Sequence, residues 1–434
     1  MIKITNILFT TSILLSLSTS IFAADTNIFK GQSPWPEIRK ERLNTMLPYA
    51  MNEANIDAWL VVCRENNNDP MAKHIGCENA GKTAVFLFYF DKDTFYSLAF
   101  SPKGEATALK DLNLLKEVVE VAREESAISL AANFIKSKSF KNVAINTSNT
   151  NPQADGISHT QYQQLTSALG RKHSKLLISA SNLIYEFLAV KLPAEVAIMK
   201  QAAALTAKWQ IEAYKQVVPG KTTDADVAKF LKQKMQEYGV TDAWAPTQNP
   251  NVVSGTDRGH SHATDRVIQA GDVIQTDFGI RVYDTWVTDI QRFAYVLKEN
   301  ETKPPKDIMH YWESAKAGRD AAFDAMKAGK TGFDVDLAQR KVMKETNSLP
   351  VMWSTGHPVG YVAHDSGPAL NSKPNYSTNQ LTLKTNMTFA FDGFHKWIMQ
   401  NGLPKTISVE EMVVITEDGA EYLIAPQIDL VLIK

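Results

Sequence analysis

A string of residues that recurs 109 positions further along constrains the fold of this chain more than any other feature. The first copy, from residue 220, reads Gly-Lys-Thr-Thr-Asp-Ala-Asp-Val, and the second, from residue 329, reads Gly-Lys-Thr-Gly-Phe-Asp-Val-Asp. Glycine, threonine and aspartate are common wherever a helix begins, so coincidence is the simpler explanation. Both copies, however, lie between two helical patterns and precede strand-like sequence. This match of the flanks favours an internal duplication, in which two similar α-α-β halves face each other and leave a site between them.

The sequence before the first copy has a different pattern, in which helical stretches alternate with short apolar runs. A helix is predicted from Trp35 to Glu53, and four runs are predicted to be strands: residues 58–63, 84–90, 95–100 and 143–145. This alternation is typical of a compact α/β domain, which we place at residues 34–181. A new helix is predicted from Pro193, because proline fits the first turn of a helix. We therefore expect a second domain at residues 192–434 and a mixed α/β (α+β) chain.

The composition is that of a soluble globular protein. The 434 residues are 44% apolar and 21% charged, and 46 basic side chains nearly balance 47 acidic ones, so the basic surplus of a nucleic-acid-binding protein is absent from the sequence. Residues 1–23 combine Lys3, an apolar stretch and a small-residue cleavage site, which is typical of a signal peptide. We expect an exported (periplasmic or secreted) chain with no membrane insertion after signal removal. In that oxidising compartment Cys63 and Cys77 could pair.

Carboxylates inside apolar, strand-like runs are the first chemical signal. Burial of an unpaired charge costs several kcal/mol, so each acid in such a run requires a partner. Acids forced close together also repel each other, and a divalent cation is the usual remedy. Two of the acids are predicted to face each other across a hairpin-like strand pair, although exposed positions at the strand ends are the alternative for these two. The acids are Asp277 and Asp289, which form this pair, and Asp392 and Glu410 further along.

Two histidines seven positions apart supply a second kind of ligand. His357 and His364 lie in a short segment with Pro358 and Gly360, so this is not the helical His-Glu-x-x-His zinc motif. Three acid-bearing strands and one histidine segment together offer several oxygen ligands and an imidazole. That set suits manganese, iron, cobalt or zinc, and a two-metal cluster rather than a closed structural zinc site.

In this order, these residues resemble those of the pita-bread metallopeptidases, which are the Xaa-Pro aminopeptidases, prolidases and methionine aminopeptidases. The resemblance covers roughly residues 195–430, and the N-terminal part is more loosely similar to the creatinase-like domain of that family. It implies two divalent metal ions, manganese first and zinc, cobalt or iron as alternatives, and cleavage of Xaa-Pro bonds by a metal-bridging hydroxide. It also implies five metal ligands and two catalytic histidines that bind substrate and stabilise developing charge: Asp277, Asp289, His357, Asp392 and Glu410 for the metals, and His260 and His364 for catalysis.

Two positions depart from the family pattern. Asp392 stands where the family usually has a glutamate, and its side chain is one methylene shorter, so the strand has to move inward for it to reach a metal. Ser408 stands where prolidase-type enzymes often carry an arginine. Two other functions therefore stay open: a non-peptidase metal-dependent hydrolase or lyase acting on a small molecule, and a catalytically inactive binding protein. The expected partners are a peptide or small-molecule substrate and a second copy of the chain in a homodimer, with no nucleic acid.

Overall fold

The computed structural model describes residues 29–78, 82–258 and 262–434 of the chain. The predicted signal peptide, residues 1–23, and the predicted catalytic residue His260 therefore lie outside the described residues. Within the described ranges, no helix is both long enough and apolar enough to cross a membrane. The domain boundaries at residues 34–181 and 192–434 stay predictions.

The N-terminal part is built on one six-stranded sheet, whose strands are β1 (Ala58–Cys63), β2 (Ala84–Asp91), β3 (Thr94–Pro102), β4 (Glu117–Val121), β5 (Val143–Ile145) and β6 (Leu177–Ser179). They lie in the order β4-β3-β2-β1-β5-β6. Every residue of the central strand β1 is buried, which accounts for its uninterrupted apolar sequence. The four predicted strands correspond to β1, β2, β3 and β5. The sequence does not predict β4 and β6, because both are largely exposed and lack a continuous apolar run.

Among the described residues, this part has seven α-helices: α1 (Trp35–Glu41), α2 (Leu47–Glu53), α3 (Ala72–Ile75), α4 (Lys103–Leu112), α5 (Ala127–Ser137), α6 (His159–His173) and α7 (Ser181–Ala189). The predicted helix at Trp35–Glu53 is present, but a π-helical turn, Arg42–Met46, separates α1 from α2. The π turn precedes Pro48, which lies in the first turn of α2 and has no backbone N–H to donate. Single π turns are frequent at functional sites, and here the turn carries the buried Arg42. At the end of β1, Cys63 forms a disulfide with Cys77.

The C-terminal part contains two four-stranded sheets and one small sheet. Its strands are β7 (Thr241–Asp242), β8 (Asn251–Val253), β9 (Val273–Phe278), β10 (Ile280–Val282), β11 (Trp286–Val287), β12 (Ile290–Val296), β13 (Gly356–Pro358), β14 (Thr388–Ile398), β15 (Pro404–Ile415), β16 (Ala420–Tyr422) and β17 (Val431–Ile433). The first large sheet has the order β17-β12-β9-β8 and the second β13-β14-β15-β16, while β11-β10-β7 form the small sheet. The two large sheets contact each other through β12 and β15.

Each large sheet is covered by one pair of helices. The pairs are α8 (Pro193–Tyr214) with α9 (Asp224–Tyr238), and α10 (Lys306–Ala325) with α11 (Gly332–Glu345). The first pair packs on the first sheet and the second pair on the second. The predicted helix start at Pro193 is correct, with proline in the first turn of α8. The site between the two halves is therefore lined by strands, with the helices outside.

The repeated string has the same local structure in both copies. The side chains of Thr223 and Thr331 cap α9 and α11, each in a capping box with an aspartate three residues later. Gly220 and Gly329 both adopt positive φ, 77° and 85°, which glycine tolerates without steric cost. The two glycines are 109 positions apart and the two capping threonines 108. The turn that joins the glycine to its threonine is therefore one residue shorter in the second copy. This common structure agrees with an internal duplication.

Candidate metal centre

Asp277 and Asp289 lie on neighbouring strands of the first sheet, but not in the predicted register. Asp277, in β9, lies opposite Gln291 of β12, and Asp289 comes directly before the first residue of β12. The prediction that both acids lie in strands and face each other is therefore wrong in register. Residues 289 and 291 point to the same face because side chains alternate along the chain. Asp289 is thus the diagonal neighbour of Asp277, and their side chains lie within hydrogen-bonding distance.

Asp392 and Glu410 come from the second sheet, where they are direct partners across the antiparallel pair of β14 and β15. His357, in β13, lies opposite Ala390, two residues before Asp392 and on the same face. The next residue, Glu411, must point to the opposite face. There it is completely buried, with its Oε2 3.0 Å from Arg292 Nη2. The structure therefore directs Glu410 to the site and removes Glu411 from it.

The contact between the sheets brings the side chains of Asp289, His357 and Glu410 together. His357 Nε2 lies 3.8 Å from Asp289 Oδ2 and 3.9 Å from Glu410 Oε1. One ligand atom from each of these three residues lies within 4.8 Å of the other two. Ligand atoms about 2.1 Å from a shared ion are about 3 to 4 Å apart. The three side chains need only a small contraction to hold one divalent cation.

Burial and mutual repulsion make the metal-free carboxylates unfavourable. All four acids are at most 8% exposed. Burial raises the pKa of Asp289 well above its usual value, and the charges of Asp277 and Asp392 raise it further. Burial likewise raises the pKa of Glu410, followed by the charges of Asp289, Asp392 and Asp277. Glu410 Oε2 is buried and accepts no hydrogen bond from any described residue. A divalent cation would satisfy this oxygen and remove the repulsion, so the residues fit a metal.

His364 lies beside this group of ligands. Its ring centroid is 4.2 Å from that of His357, and the two rings are nearly perpendicular at 87°. His357 Nδ1 lies 3.2 Å from the carbonyl oxygen of Pro358. An Nδ1–H that donates to this carbonyl leaves the Nε2 lone pair directed at the acids, as a metal ligand requires. The His364 side chain is exposed.

A neutral hydrogen-bond network behind the acids is not predicted from the sequence. Gln291 Oε1 accepts hydrogen bonds from Gln275 Nε2 and from Ser408 Oγ, both at 2.6 Å. The Gln291 side chain lowers the pKa of Glu410 and so opposes part of the rise caused by burial and by the neighbouring acids. These residues were available from the sequence by alternation, because each lies two positions from an acid of the site and on the same face. Second-layer partners of this kind orient metal ligands and tune their affinity.

Gly393, next to Asp392, has a packing role. A Cβ at this position would lie 2.0 Å from the carbonyl oxygen of Ala315 and 2.5 Å from the backbone nitrogen of Arg319. Both of these residues belong to α10, so the helix backbone rests directly on β14. Any larger residue would push the helix and the strand apart. Asp392 is therefore backed by a rigid helix contact on the far side of its strand.

Comparison with known proteins identifies relatives of both the sequence and the fold. The model of a family described as metallopeptidase family M24 matches residues 197–417, just over half of the chain. A Mycobacterium bovis protein named "Probable dipeptidase PepE" is 26% identical over 250 residues, which are 56% of this chain and 61% of the relative. The aligned region thus spans about three fifths of that relative.

Solved structures match over almost the whole chain. The X-Pro aminopeptidase from Thermotoga maritima MSB8 has a TM-score of 0.66 and 22% identity, and the match covers 89% of this chain and 100% of that one. Dipeptidase PepE from Mycobacterium ulcerans has a TM-score of 0.69 and 20% identity, with 93% and 100% covered. At these identities the likeness shows the fold alone. It confirms the predicted mixed α/β, pita-bread architecture.

Proposed function

Because the chain belongs to metallopeptidase family M24, we propose that it is a metal-dependent exopeptidase that cleaves Xaa-Pro bonds at the N-terminus of peptides or in dipeptides. One observation carries the proposal. Ligand atoms of Asp289, His357 and Glu410, from two separate sheets, lie within 4.8 Å of one another, and the charges of the buried acids Asp277 and Asp392 act on this group. A structural reason for placing four acids together is lacking, because their repulsion opposes folding. A cluster of two cations removes that repulsion and gives the acids a function.

We assign two divalent ions to five side chains: Asp277, Asp289, His357, Asp392 and Glu410. Once bound, such ions supply a Lewis acid for the scissile carbonyl and a nucleophilic water at neutral pH. Asp392 acts as the general base that accepts the proton of the attacking water. His364 binds substrate and stabilises the negative charge that develops on the carbonyl oxygen. His260 is assigned the same role from the family resemblance. The carboxylate-rich ligand set favours manganese, with zinc, cobalt and iron as alternatives.

The neutral network behind Glu410 favours peptides longer than dipeptides. Ser408 offers a hydroxyl where prolidase-type enzymes often carry an arginine, and this hydroxyl is engaged with Gln291. A dipeptide has its free carboxylate next to the scissile bond, where an arginine would bind it. A longer peptide has an uncharged amide at that point. We therefore expect Xaa-Pro-Xaa tripeptides to be better substrates than Xaa-Pro dipeptides.

A metal-replacement assay tests the proposal. The protein is stripped with a chelator, reloaded with manganese, zinc, cobalt or iron, and assayed against Xaa-Pro-Xaa, Xaa-Pro and Xaa-Ala-Xaa peptides. Metal-dependent cleavage of the proline peptides is the expected result. Asp277→Asn should abolish it, whereas Asp284→Asn, a matched change at an exposed acid of the same strand region, should leave it intact.

The same assay separates the alternatives. Tight metal binding without hydrolysis of any Xaa-Pro peptide would overturn the peptidase proposal. It would support a metal-dependent hydrolase or lyase of this fold acting on a small molecule. Absence of metal binding altogether would support a binding protein without catalysis.

We also propose that the chain is exported. The disulfide between Cys63 and Cys77 supports this, because such bonds persist in oxidising compartments and are rare in the cytosol. Fractionation of the native host should recover the protein without its first 23 residues outside the cytoplasm. Recovery of full-length protein in the cytosol would contradict export.

A further inference from the structure

The segment that carries His357 and His364 begins in β13 and continues as a short loop closed by its own aspartate. This segment, residues 357–366, is called the histidine loop. The backbone nitrogen of Asp365 donates to the carbonyl oxygen of Pro358, at 3.0 Å. Asp365 Oδ2 accepts a hydrogen bond from the backbone nitrogen of Tyr361, at 2.9 Å. Asp365 thus joins the end of the loop, next to His364, to its beginning and its middle.

Asp365 is itself held by two residues from outside the loop. Its carboxylate is fully buried, and Lys191 Nζ, which is 1% exposed, lies 3.2 Å from Oδ2. The other oxygen, Oδ1, accepts from Gln153 Nε2 at 3.2 Å. Gln153 belongs to the N-terminal part, in a short turn after β5. The same turn contributes Asn151, whose Nδ2 lies 3.2 Å from Ser366 Oγ. The N-terminal part therefore contacts the loop directly beside His364.

The middle of the loop is held by a second buried pair. Tyr361 donates its hydroxyl to Glu195 Oε1 at 2.6 Å. Glu195 Oε2 lies 2.7 Å from Arg42 Nη1, and these two side chains are 0% and 1% exposed. The Arg42 guanidinium and the Lys191 ammonium also lie over the Tyr361 ring, at 5.4 and 4.8 Å from its centroid. Arg42 comes from the π turn between α1 and α2.

Stability alone is a weak explanation for these buried ions. Removing two charges from water costs about as much as their attraction returns, so apolar residues of similar volume often stabilise a core equally well. Buried ion pairs do, however, impose a fixed geometry, because each charge must meet its partner. The loop is packed closely against this ion pair, and position 360 has no room for a side chain. A Cβ on Gly360 would lie 2.2 Å from Lys191 Cε and 2.6 Å from Asp365 Oδ2.

His364 needs such support because its own side chain is exposed. Packing against neighbouring side chains cannot fix an exposed ring as it fixes a buried one. The backbone therefore contributes to its position relative to His357, and the adjoining residue Asp365 is the buried anchor of that backbone. We infer that the buried ion pair of Lys191 with Asp365, completed by Gln153 from the N-terminal part, is a positioning device that sets His364 against the metal ligands. The second pair, Arg42 with Glu195, fixes Tyr361 in the same loop. The N-terminal part is thus required for the geometry of the active centre.

The test uses the full chain and a readout that does not depend on peptidase activity. Gln153→Leu removes the Nε2 donor to Asp365 and the Oε1 acceptor of the Ser366 hydroxyl, and approximately keeps the side-chain volume. Gln164→Leu, at an exposed position of α6, is the matched control. The ring resonances of His357 and His364 are recorded by ¹H–¹³C NMR in the metal-free and zinc-loaded protein. Gln153→Leu should shift or broaden the His364 resonances, with the melting temperature unchanged, and Gln164→Leu should leave them as in the wild type.

The rate of peptide cleavage provides the second readout, and this readout rests on the proposed function. Gln153→Leu should lower kcat by about fivefold to tenfold with the same metal affinity, since a displaced catalytic group costs rate rather than metal binding. Asp365→Asn should lower kcat further, and Asp365→Glu should not restore it because the longer side chain does not fit the closed loop. Unchanged His364 resonances in both Gln153→Leu and Asp365→Asn, with only a lower melting temperature, would overturn the inference. If the wild type cleaves no peptide, the proposed function fails, and the NMR comparison still decides this inference.

Discussion

The molecule buries two groups of charged side chains, and they differ in how their charges are balanced. In the ion-pair network, two cations, Arg42 and Lys191, meet two anions, Glu195 and Asp365, at 2.7 and 3.2 Å. In the candidate metal centre, Asp289 and Glu410 lie beside His357, and the charges of Asp277 and Asp392 raise the pKa of Asp289 beyond the effect of burial alone. The balanced group is complete in the protein itself. The proposed divalent cations would balance the second group, and this supports its assignment as the reactive one.

The largest expected effect comes from removing one acid of the unbalanced group. Asp289→Asn keeps the shape of the side chain but removes a ligand, so metal content should fall and turnover should drop by about a thousandfold, as for the loss of a central catalytic component. The metal-free variant should be at least as stable as the metal-free wild type, because a repulsive charge is gone. Metal analysis by mass spectrometry and chemical denaturation after chelation measure both quantities. Wild-type metal content in Asp289→Asn would contradict the assignment.

The opposite result is expected in the balanced group. Glu195→Gln leaves the buried Arg42 without its counter-charge, which should lower the free energy of unfolding by about 3 kcal/mol whether or not metal is present. Denaturation curves with and without added manganese measure this loss. Glu120→Gln removes the acid of an exposed pair with Lys110 and should leave the curve unchanged. A loss that disappears when metal is added would show that the two groups are not separate.

The pH dependence of Glu195 sharpens the contrast. Burial raises the pKa of this carboxyl, but Arg42 and the hydrogen bonds from Tyr361 and the Leu192 backbone outweigh burial, so its pKa lies below the usual value. A depressed pKa in the folded state means that the ion pair stabilises the protein above the unfolded value, about 4.3. This stabilisation is lost as pH falls through the lower folded value. The difference in unfolding free energy between wild type and Glu195→Gln should therefore be constant from pH 7 to 5 and shrink below pH 4. A difference that grows on acidification would refute this sign.

The two groups also differ in how far the sequence alone reveals them. The acids of the metal centre stand out because they interrupt apolar strands, and strand alternation assigns Glu410 to the site and Glu411 to the opposite face. The register of Asp289 is missed because β10 and β11 form a separate small sheet between β9 and β12. The turn in that sheet uses positive φ at Tyr283 and Asp284, without the glycine or asparagine that would signal it.

The ion-pair network cannot be predicted from strand alternation or helical periodicity. Arg42 and Glu195 are 153 positions apart, and in sequence each looks like an ordinary charged residue on the exposed side of a helix. Helical periodicity predicts which residues share a face, and it cannot predict that two faces from distant parts of the chain will be buried against each other. The same limit applies to Gln153, which lies in a polar loop with no motif.

The smallest expected effect concerns the length of one ligand. Asp392 lies directly opposite Glu410, and the close contact of Gly393 with α10 keeps its strand in place. A shorter carboxylate on a fixed strand should hold the second ion less tightly than a glutamate would. Asp392→Glu extends the side chain of this ligand towards the centre and should tighten binding of the second ion by about tenfold, comparable to the smallest effects of changes in the layer around a metal site. Asp392→Asn should instead lose that ion and turnover while the fold is kept. Calorimetric titration of the chelated proteins with manganese measures the two binding steps. Weaker second-step binding in Asp392→Glu would show that the centre is already matched to aspartate, and that the backbone has moved inward to meet it.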